Sequence, residues 1–223
     1  MKQPEKDMLW ALEGYALQYQ IPVATIVEAG ACDGSDTLEI LKRFSTAHAY
    51  AFEPNPDGAR ICEDRYRGHD RVTFEACAVG DTEGETTFHP VSGHDAERWG
   101  WSSVFPLLKP PPDGNPCVQT EIAVPIRRLD AWALAKGVEQ IDLLWLDAEG
   151  YELNILRGAG ELLASIGLIG TEFYITPRLK GQTLFADQWR FLHEKGFVLM
   201  YWQLADLSGV GNSIWLNPKR LRA

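Results

Sequence analysis

Apolar runs of strand length alternate with amphipathic stretches of helix length over most of the chain, and that alternation predicts its elements. "TIVEAG" at 25–30 reads as a strand, and "SDTLEILKRF" at 35–44 as a helix with apolar Leu38, Leu41 and Phe44. "AHAYAFE" at 47–53 is the next strand. "PDGARICEDRY" at 56–66 is the next helix, with Pro56 suited to its first turn. "RVTFEACAV" at 71–79 gives a third strand, and the stretch 7–18 reads as a helix preceding them all.

The rhythm then changes. "GETTFHPV" at 84–91 alternates like an exposed strand, and "TEIAVPIRRLD" at 120–130 ends a similar run. Between them lies a Gly/Pro/Trp-rich segment, 94–116, read as a lid or binding loop within an insertion spanning 84–126. Alternation resumes with "IDLLWLD" at 141–147, a nearly continuous apolar run typical of a strand covered on both faces. A helix follows from about Tyr151, then a strand at 166–174, a helix at 184–195, and closing strands at 197–203 and 211–217. Strand–helix repeats that end in a strand pair imply an α/β fold: one domain over 1–223 with a mostly parallel sheet and helices on both faces.

Composition narrows the function classes. A formal net charge of -10 argues against a nucleic-acid partner held through its phosphates. No apolar stretch reaches the ~20 residues that span a bilayer, and the charged start "MKQPEKDMLW" lacks a signal-peptide core. Cys32, Cys62, Cys77 and Cys117 show no CxxC spacing and read as reduced thiols of a cytoplasmic protein.

In such sheets ligands bind beyond the strand ends, which sets Gly30–Gly34, Glu53, Ala78, Asp147 and Glu172 along one rim. The turn "IVEAGACDGSDT" at 26–37 raises a question of charge. A dinucleotide turn wants G-x-G-x-x-G so that the backbone can touch pyrophosphate, but here Cys32 stands at the central glycine. Glu28 and Asp33 would repel phosphate. They suit S-adenosylmethionine, which carries an ammonium and a sulfonium and no phosphate. Glu53, ending the second strand, can accept both ribose hydroxyls in either scheme.

"VEAGACDGSDT", "AFEPNP", "ACAVGDTEG" and "LLWLDAEGYELNILRGA" fall in the order and spacing of the FkbM-type methyltransferases. That family is a branch of the Rossmann-like class I S-adenosylmethionine-dependent fold, whose sheet has seven strands. The last segment carries the family's D-x-E-G-x-E…L-x-G pattern at Asp147, Glu149, Gly150, Glu152, Leu156 and Gly158, and the resemblance spans about 23–172. One departure is Cys32, where the family turn usually has Asn. The resemblance implies S-adenosylmethionine as cofactor, with donor contacts from Glu28, Gly30, Ala31, Asp33, Gly34, Thr37, Glu53, Pro54, Asn55, Ala78 and Asp147. It also implies methylation of a hydroxyl, often on a sugar or secondary metabolite.

Asp147, Glu149 and Glu172 are the candidate catalytic acids. Either one carboxylate takes the hydroxyl proton, or the cluster holds a divalent cation such as magnesium. A plainer reading makes Glu149 a helix cap and Glu172 an ion-pair partner. His94, at the lid, is a competing base. Trp99, Trp101 and Phe105, with Ser102 and Ser103, suit a small hydroxylated acceptor, although the same residues would serve as a loop core or a homodimer contact. Trp132, Trp145 and Trp215 lie on regular elements and are expected in the core. A nicotinamide dehydrogenase and a non-catalytic nucleoside-binding protein are the alternatives.

Overall fold

A computed structural model describes residues 3–92, 101–109, 118–205 and 209–221. The chain opens with helix α1 (Gln3–Gln18), strand β1 (Thr25–Ala29), helix α2 (Ser35–Arg43), strand β2 (His48–Phe52), helix α3 (Pro56–Arg65) and strand β3 (Val72–Glu75). Their boundaries follow local chemistry. Helix α2 buries Thr37, Ile40 and Leu41, with Asp36 in its first turn and Lys42 and Arg43 in its last, each complementing the helix dipole. Helix α3 starts where the Asn55 side chain accepts from the Asp57 amide, with proline in the first turn.

The single strand expected over 71–79 is two. Strand β3 joins the edge of the main sheet, and β4 (Ala78–Gly80) leaves for another. The Cys77 amide donates to the Glu75 carbonyl at 3.0 Å, so the chain bends between the two apolar halves. Next come β5 (Gly84–Phe88), β6 (Val91–Ser92), β7 (Val118–Gln119) and β8 (Ile122–Arg128). Strand β8 lies between β4, which it pairs in parallel, and the antiparallel β5; β6 and β7 pair separately.

A helix that the pattern did not reveal, α4 (Leu129–Lys136), buries Trp132 and ends at left-handed Gly137. It leads into β9 (Leu143–Leu146), α5 (Glu152–Gly158), a 3-10 turn at Gly160–Ser165, β10 (Leu168–Tyr174), α6 (Phe185–Glu194), β11 (Val198–Leu204) and β12 (Val210–Leu216). The main sheet has seven strands in the order β11-β12-β10-β9-β1-β2-β3, parallel except for β12, which runs against both neighbours. Chain order reverses at β1, which lies between β2 and β9; that is where such sheets open a crevice.

Both faces of the sheet are covered. One core gathers Trp132, Leu144, Leu146, Ile155 and Trp215; the other joins Met8, Leu9 and Leu12 of α1 to Ile40, Trp145 and Ile214. The three tryptophans expected in the interior are there. Cys32, Cys62 and Cys77 are free thiols, and Cys117 lies outside the described residues. Among the described residues, no helix is long and apolar enough to cross a membrane.

Candidate active site

A cavity of ≈ 600 Å³ opens over the ends of β1, β2, β9 and β10, with β4 along its side. Close backbone approach shapes it. Gly30 has φ +92°, and a Cβ there would overlap the Asp147 carbonyl oxygen, so β1 and β9 can meet at the rim only with glycine. Cys32 has φ 53°, a left-handed conformation that asparagine, the residue more usual there in the family, adopts readily. Its amide donates to one Glu53 carboxyl oxygen at 2.7 Å, and the Asn55 amide donates to the other at 2.7 Å. Its carbonyl would lie 2.6 Å from a Cβ on Gly58, so α3 can pack there only with glycine. Glu53 is thereby fixed on the wall of the cavity, while burial lifts its pKa to about 7.

Glu28 is turned elsewhere. It lies within β1, buried, and accepts from the Thr37 hydroxyl, which shares a hydrogen bond with Tyr66. Burial first, and then Asp36, push its pKa up to about 8, and its Oε1 is buried without a hydrogen-bond partner. At neutral pH it is mostly a neutral carboxylic acid, so it is not the anion that the charge argument required. Glu28, Gly34 and Thr37 are absent from the cavity wall; a Cβ on Gly34 would meet the Tyr66 ring at 2.7 Å. Asp33 does line the cavity, but it caps the Ser35 amide at 2.9 Å and pairs with Arg65 at 3.0 Å. Ala31, Pro54, Asn55, Ala78 and Asp147 all line it.

The "DAEGYE" turn after β9 gathers the remaining acids. Glu152, buried, accepts from the Ala148 amide at 3.1 Å and the Gly150 amide at 2.9 Å, so it closes the turn and its pKa rises to about 7 through burial. The N-cap position of α5 is Tyr151, without a side-chain cap hydrogen bond, so the expected cap by Glu149 is not formed there. Glu149 takes a left-handed φ of 48° and extends toward β10, where the Tyr174 hydroxyl donates to its Oε2 at 2.5 Å. Its carbonyl accepts from Ser103 at 2.8 Å. Asp147, Glu149 and Glu172 each bring a carboxyl oxygen within 4.8 Å of the other two, all on the cavity wall. Burial, then Asp147 and Glu149, raise the Glu172 pKa well above its ordinary range.

A family model for the methyltransferase FkbM domain matches residues 28–199, most of the chain. This protein belongs to the FkbM methyltransferase family. It is 33% identical over 164 residues to the 2-O-methyltransferase NoeI of Sinorhizobium fredii (strain NBRC 101917 / NGR234), across 72% of this chain and 68% of that protein. Its fold is similar to that of magnesium protoporphyrin IX methyltransferase from Synechocystis PCC 6803, solved with bound SAM. That match has a TM-score of 0.53 at 10% identity, covering 96% of this chain and 80% of the other. The fibrillarin pre-rRNA processing protein of Methanococcus jannaschii gives 0.52 at 12%, covering 87% and 66%. At those identities the two structures bear on the fold alone.

The FkbM protein is thus an S-adenosylmethionine-dependent methyltransferase, and the dehydrogenase and non-catalytic alternatives fall away. Its cavity fits that donor. Glycine backbones leave room at the turn, Glu53 is held by two amides where a ribose diol would meet it, and Ala78, Val79, Phe88 and Ile155 supply apolar wall. Among the described residues Arg65 is the only Lys or Arg lining the cavity, and it is paired with Asp33. The polarity that suits a cationic donor therefore rests on Asp36, Glu53, Asp147 and Glu149 rather than on Glu28 or Glu172, whose burial favours the neutral acid.

The described residues of the insertion contribute less directly than their composition suggests. Ser102 lines the cavity, accepting from the Val91 amide at 2.9 Å and the Asn55 side chain at 3.3 Å. Ser103 is buried and bound to the Glu149 carbonyl. Phe105, partly buried, packs edge-on against Tyr151 at 5.1 Å, against the core and off the cavity wall. Trp101 also stands off the wall, with the Arg178 guanidinium 4.8 Å from its ring centre. His94 and Trp99 lie outside the described residues. Tyr174 was missed, although its signal was available: residues two apart on a strand share a face, and Glu172 is two before it.

Proposed function

We propose that this methyltransferase acts on a hydroxyl oxygen of a small acceptor such as a sugar or secondary metabolite, with the Asp147, Glu149 and Glu172 cluster managing the hydroxyl proton. The convergence of those three carboxyl groups within 4.8 Å carries the reading. An alcohol attacks well only as its proton leaves, and a positioned base speeds that step about 10²–10⁴-fold. The relative NoeI, named a 2-O-methyltransferase, supports oxygen as the acceptor atom. When bound, S-adenosylmethionine supplies a methyl group on cationic sulfur, and the chain's task is to align the acceptor oxygen and exclude water. Asp147 or Glu149 takes the proton, while Glu172, whose burial and acidic neighbours favour the neutral form, keeps its own.

The same convergence favours a second reading, in which the three acids hold a divalent cation. The Glu172 Oε2 is buried with no hydrogen-bond partner, and a hard cation seeks such oxygens. A cation there would bind the acceptor oxygen and lower its pKa.

Turnover of a hydroxylated acceptor panel, read as S-adenosylhomocysteine release, tests both. Glu149→Gln or Asp147→Asn should lower kcat by about 100-fold or more while S-adenosylhomocysteine affinity stays within a few fold; an unaltered kcat in both variants would refute a role for the cluster. Loss of turnover in chelator with recovery on added magnesium selects the cation. Full activity in chelator selects the carboxylate base.

A further inference from the structure

We infer that Arg178, stacked on Trp101 beside the acid cluster, forms an outer acceptor subsite for a carboxylate group, so that the preferred acceptor is a hydroxylated acid such as a sugar acid. The inference rests on the methyl-transfer reading above and adds a substrate class to it.

The position of Arg178 is built, not incidental. Its carbonyl accepts from the Leu108 amide at 2.9 Å, and the Lys180 amide donates to the Pro106 carbonyl at 2.8 Å, so the segment after β10 pairs with the base of the insertion. The Gln182 side chain accepts from the Arg178 amide at 2.8 Å and the Leu179 amide at 3.1 Å. Gln182 in turn packs on the acid turn: a Cβ on Gly150 would lie 2.7 Å from its Nε2. The backbone that carries Arg178 is therefore held rigidly against the turn that carries Glu149.

Its side chain is oriented as well. The guanidinium carbon sits 4.8 Å from the Trp101 ring centre and 5.8 Å from that of Tyr174, within cation–π reach of both. Among the described residues, that guanidinium makes no hydrogen bond or ion pair. A planar fork of donors matches a carboxylate in two parallel hydrogen bonds, which a lysine cannot reproduce. Tyr174 is also the residue that binds Glu149, so its buried ring lies between Arg178 and the acid cluster, and Arg178 stands outside the cavity wall, at the outer side of that ring.

Charge points the same way. In a chain of net charge -10, beside three carboxyl groups, an acceptor acid would be repelled without a local cation. Arg178 supplies one, and Lys109 and Lys180 stand exposed on the same paired segments.

The test uses matched acceptors, hexosides and the corresponding hexuronides, with the intact protein. Wild-type turnover should favour the uronides. Arg178→Gln should raise their KM at least tenfold, with S-adenosylhomocysteine affinity and thermal stability kept, and Arg178→Lys should fall between the two. Equal or better turnover of the neutral members overturns the subsite, as does a uronide preference that survives in Arg178→Gln. Failure of every uronide in protein that binds S-adenosylhomocysteine overturns it too. If Arg178 served only to hold Trp101 in place, Arg178→Gln would lose stability without altering the uronide preference. A protein that binds no S-adenosylhomocysteine would instead refute the methyl-transfer reading on which the subsite depends.

Discussion

Burial decides what each carboxyl group at this site can do. Glu28, Glu53 and Glu152 have pKa values of about 8, 7 and 7, against 4.5 for an exposed glutamate, because desolvation penalises their charged forms. Between pH 4.5 and about 8 the fold holds protons that the unfolded chain has released, so stability is full at the acid end and falls as pH rises through that window. Glu28→Gln keeps the shape and the Thr37 contact but has no proton to lose. It should recover about 2–4 kcal/mol of the stability lost by pH 8, measured by urea unfolding on both sides of the window. An unchanged pH slope would place Glu28 in a wetter environment than this one. Glu53 behaves differently, since its ionised form is the better acceptor for two ribose hydroxyls. Donor affinity should therefore strengthen as pH rises through about 7. Glu53→Ala should weaken S-adenosylhomocysteine binding by about 1.5–3 kcal/mol in calorimetry, the range for charge-assisted hydrogen bonds; equal affinity would remove Glu53 from the ribose.

Elements were legible wherever one physical demand dominated. Strands covered on both faces must be apolar throughout, so β1, β9 and β10 declared themselves, and rim residues followed from knowing where the strands end. Side-chain direction did not follow. Glu28 sits inside β1 and faces the α2 layer, a difference of orientation that a charge count at the turn cannot detect. The break between β3 and β4 was hidden because both halves are apolar and a main-chain hydrogen bond makes the bend. Helix α4 was hidden because Leu134, 85% exposed, blurs its apolar face. The L-x-G end of the family motif does have a mechanical reading at this scale. A Cβ on Gly158 would overlap the Gly80 carbonyl oxygen, so α5 can lie against β4 only with glycine there. Gly158→Ala should cost about 3 kcal/mol by overpacking, seen as a lower urea midpoint. Because Ala78, Val79 and Ile155 line the cavity, donor binding should weaken with it. A variant as stable as the wild type would mean that the helix can stand farther off.

At the scale of the whole molecule the governing quantity is the sign of the field over the crevice. The chain carries 31 Asp and Glu against 21 Lys and Arg, and the cavity repeats that excess, with Arg65 its lone lining Lys or Arg among the described residues, already paired with Asp33. S-adenosylmethionine and S-adenosylhomocysteine share nearly the same shape but differ by the sulfonium charge, so comparing them isolates the field. A unit charge about 4 Å from an opposite one is worth about 1–4 kcal/mol at effective dielectrics between water and protein surface. Desolvation opposes that gain, and protons retained by Glu53 and Glu172 reduce it further. The charged donor should still bind at least about threefold tighter than its product at low ionic strength. Salt screens exposed charges more than buried ones, so raising it to about 0.5 M should narrow that gap without closing it. Calorimetry of both ligands at two ionic strengths, with NADH as a phosphate-bearing control, reads the result directly. A product that binds as tightly as the donor in low salt would mean that the carboxyl groups hold enough protons to cancel the field. Appreciable NADH affinity would mean that the crevice tolerates phosphate and that its acids point away from the ligand.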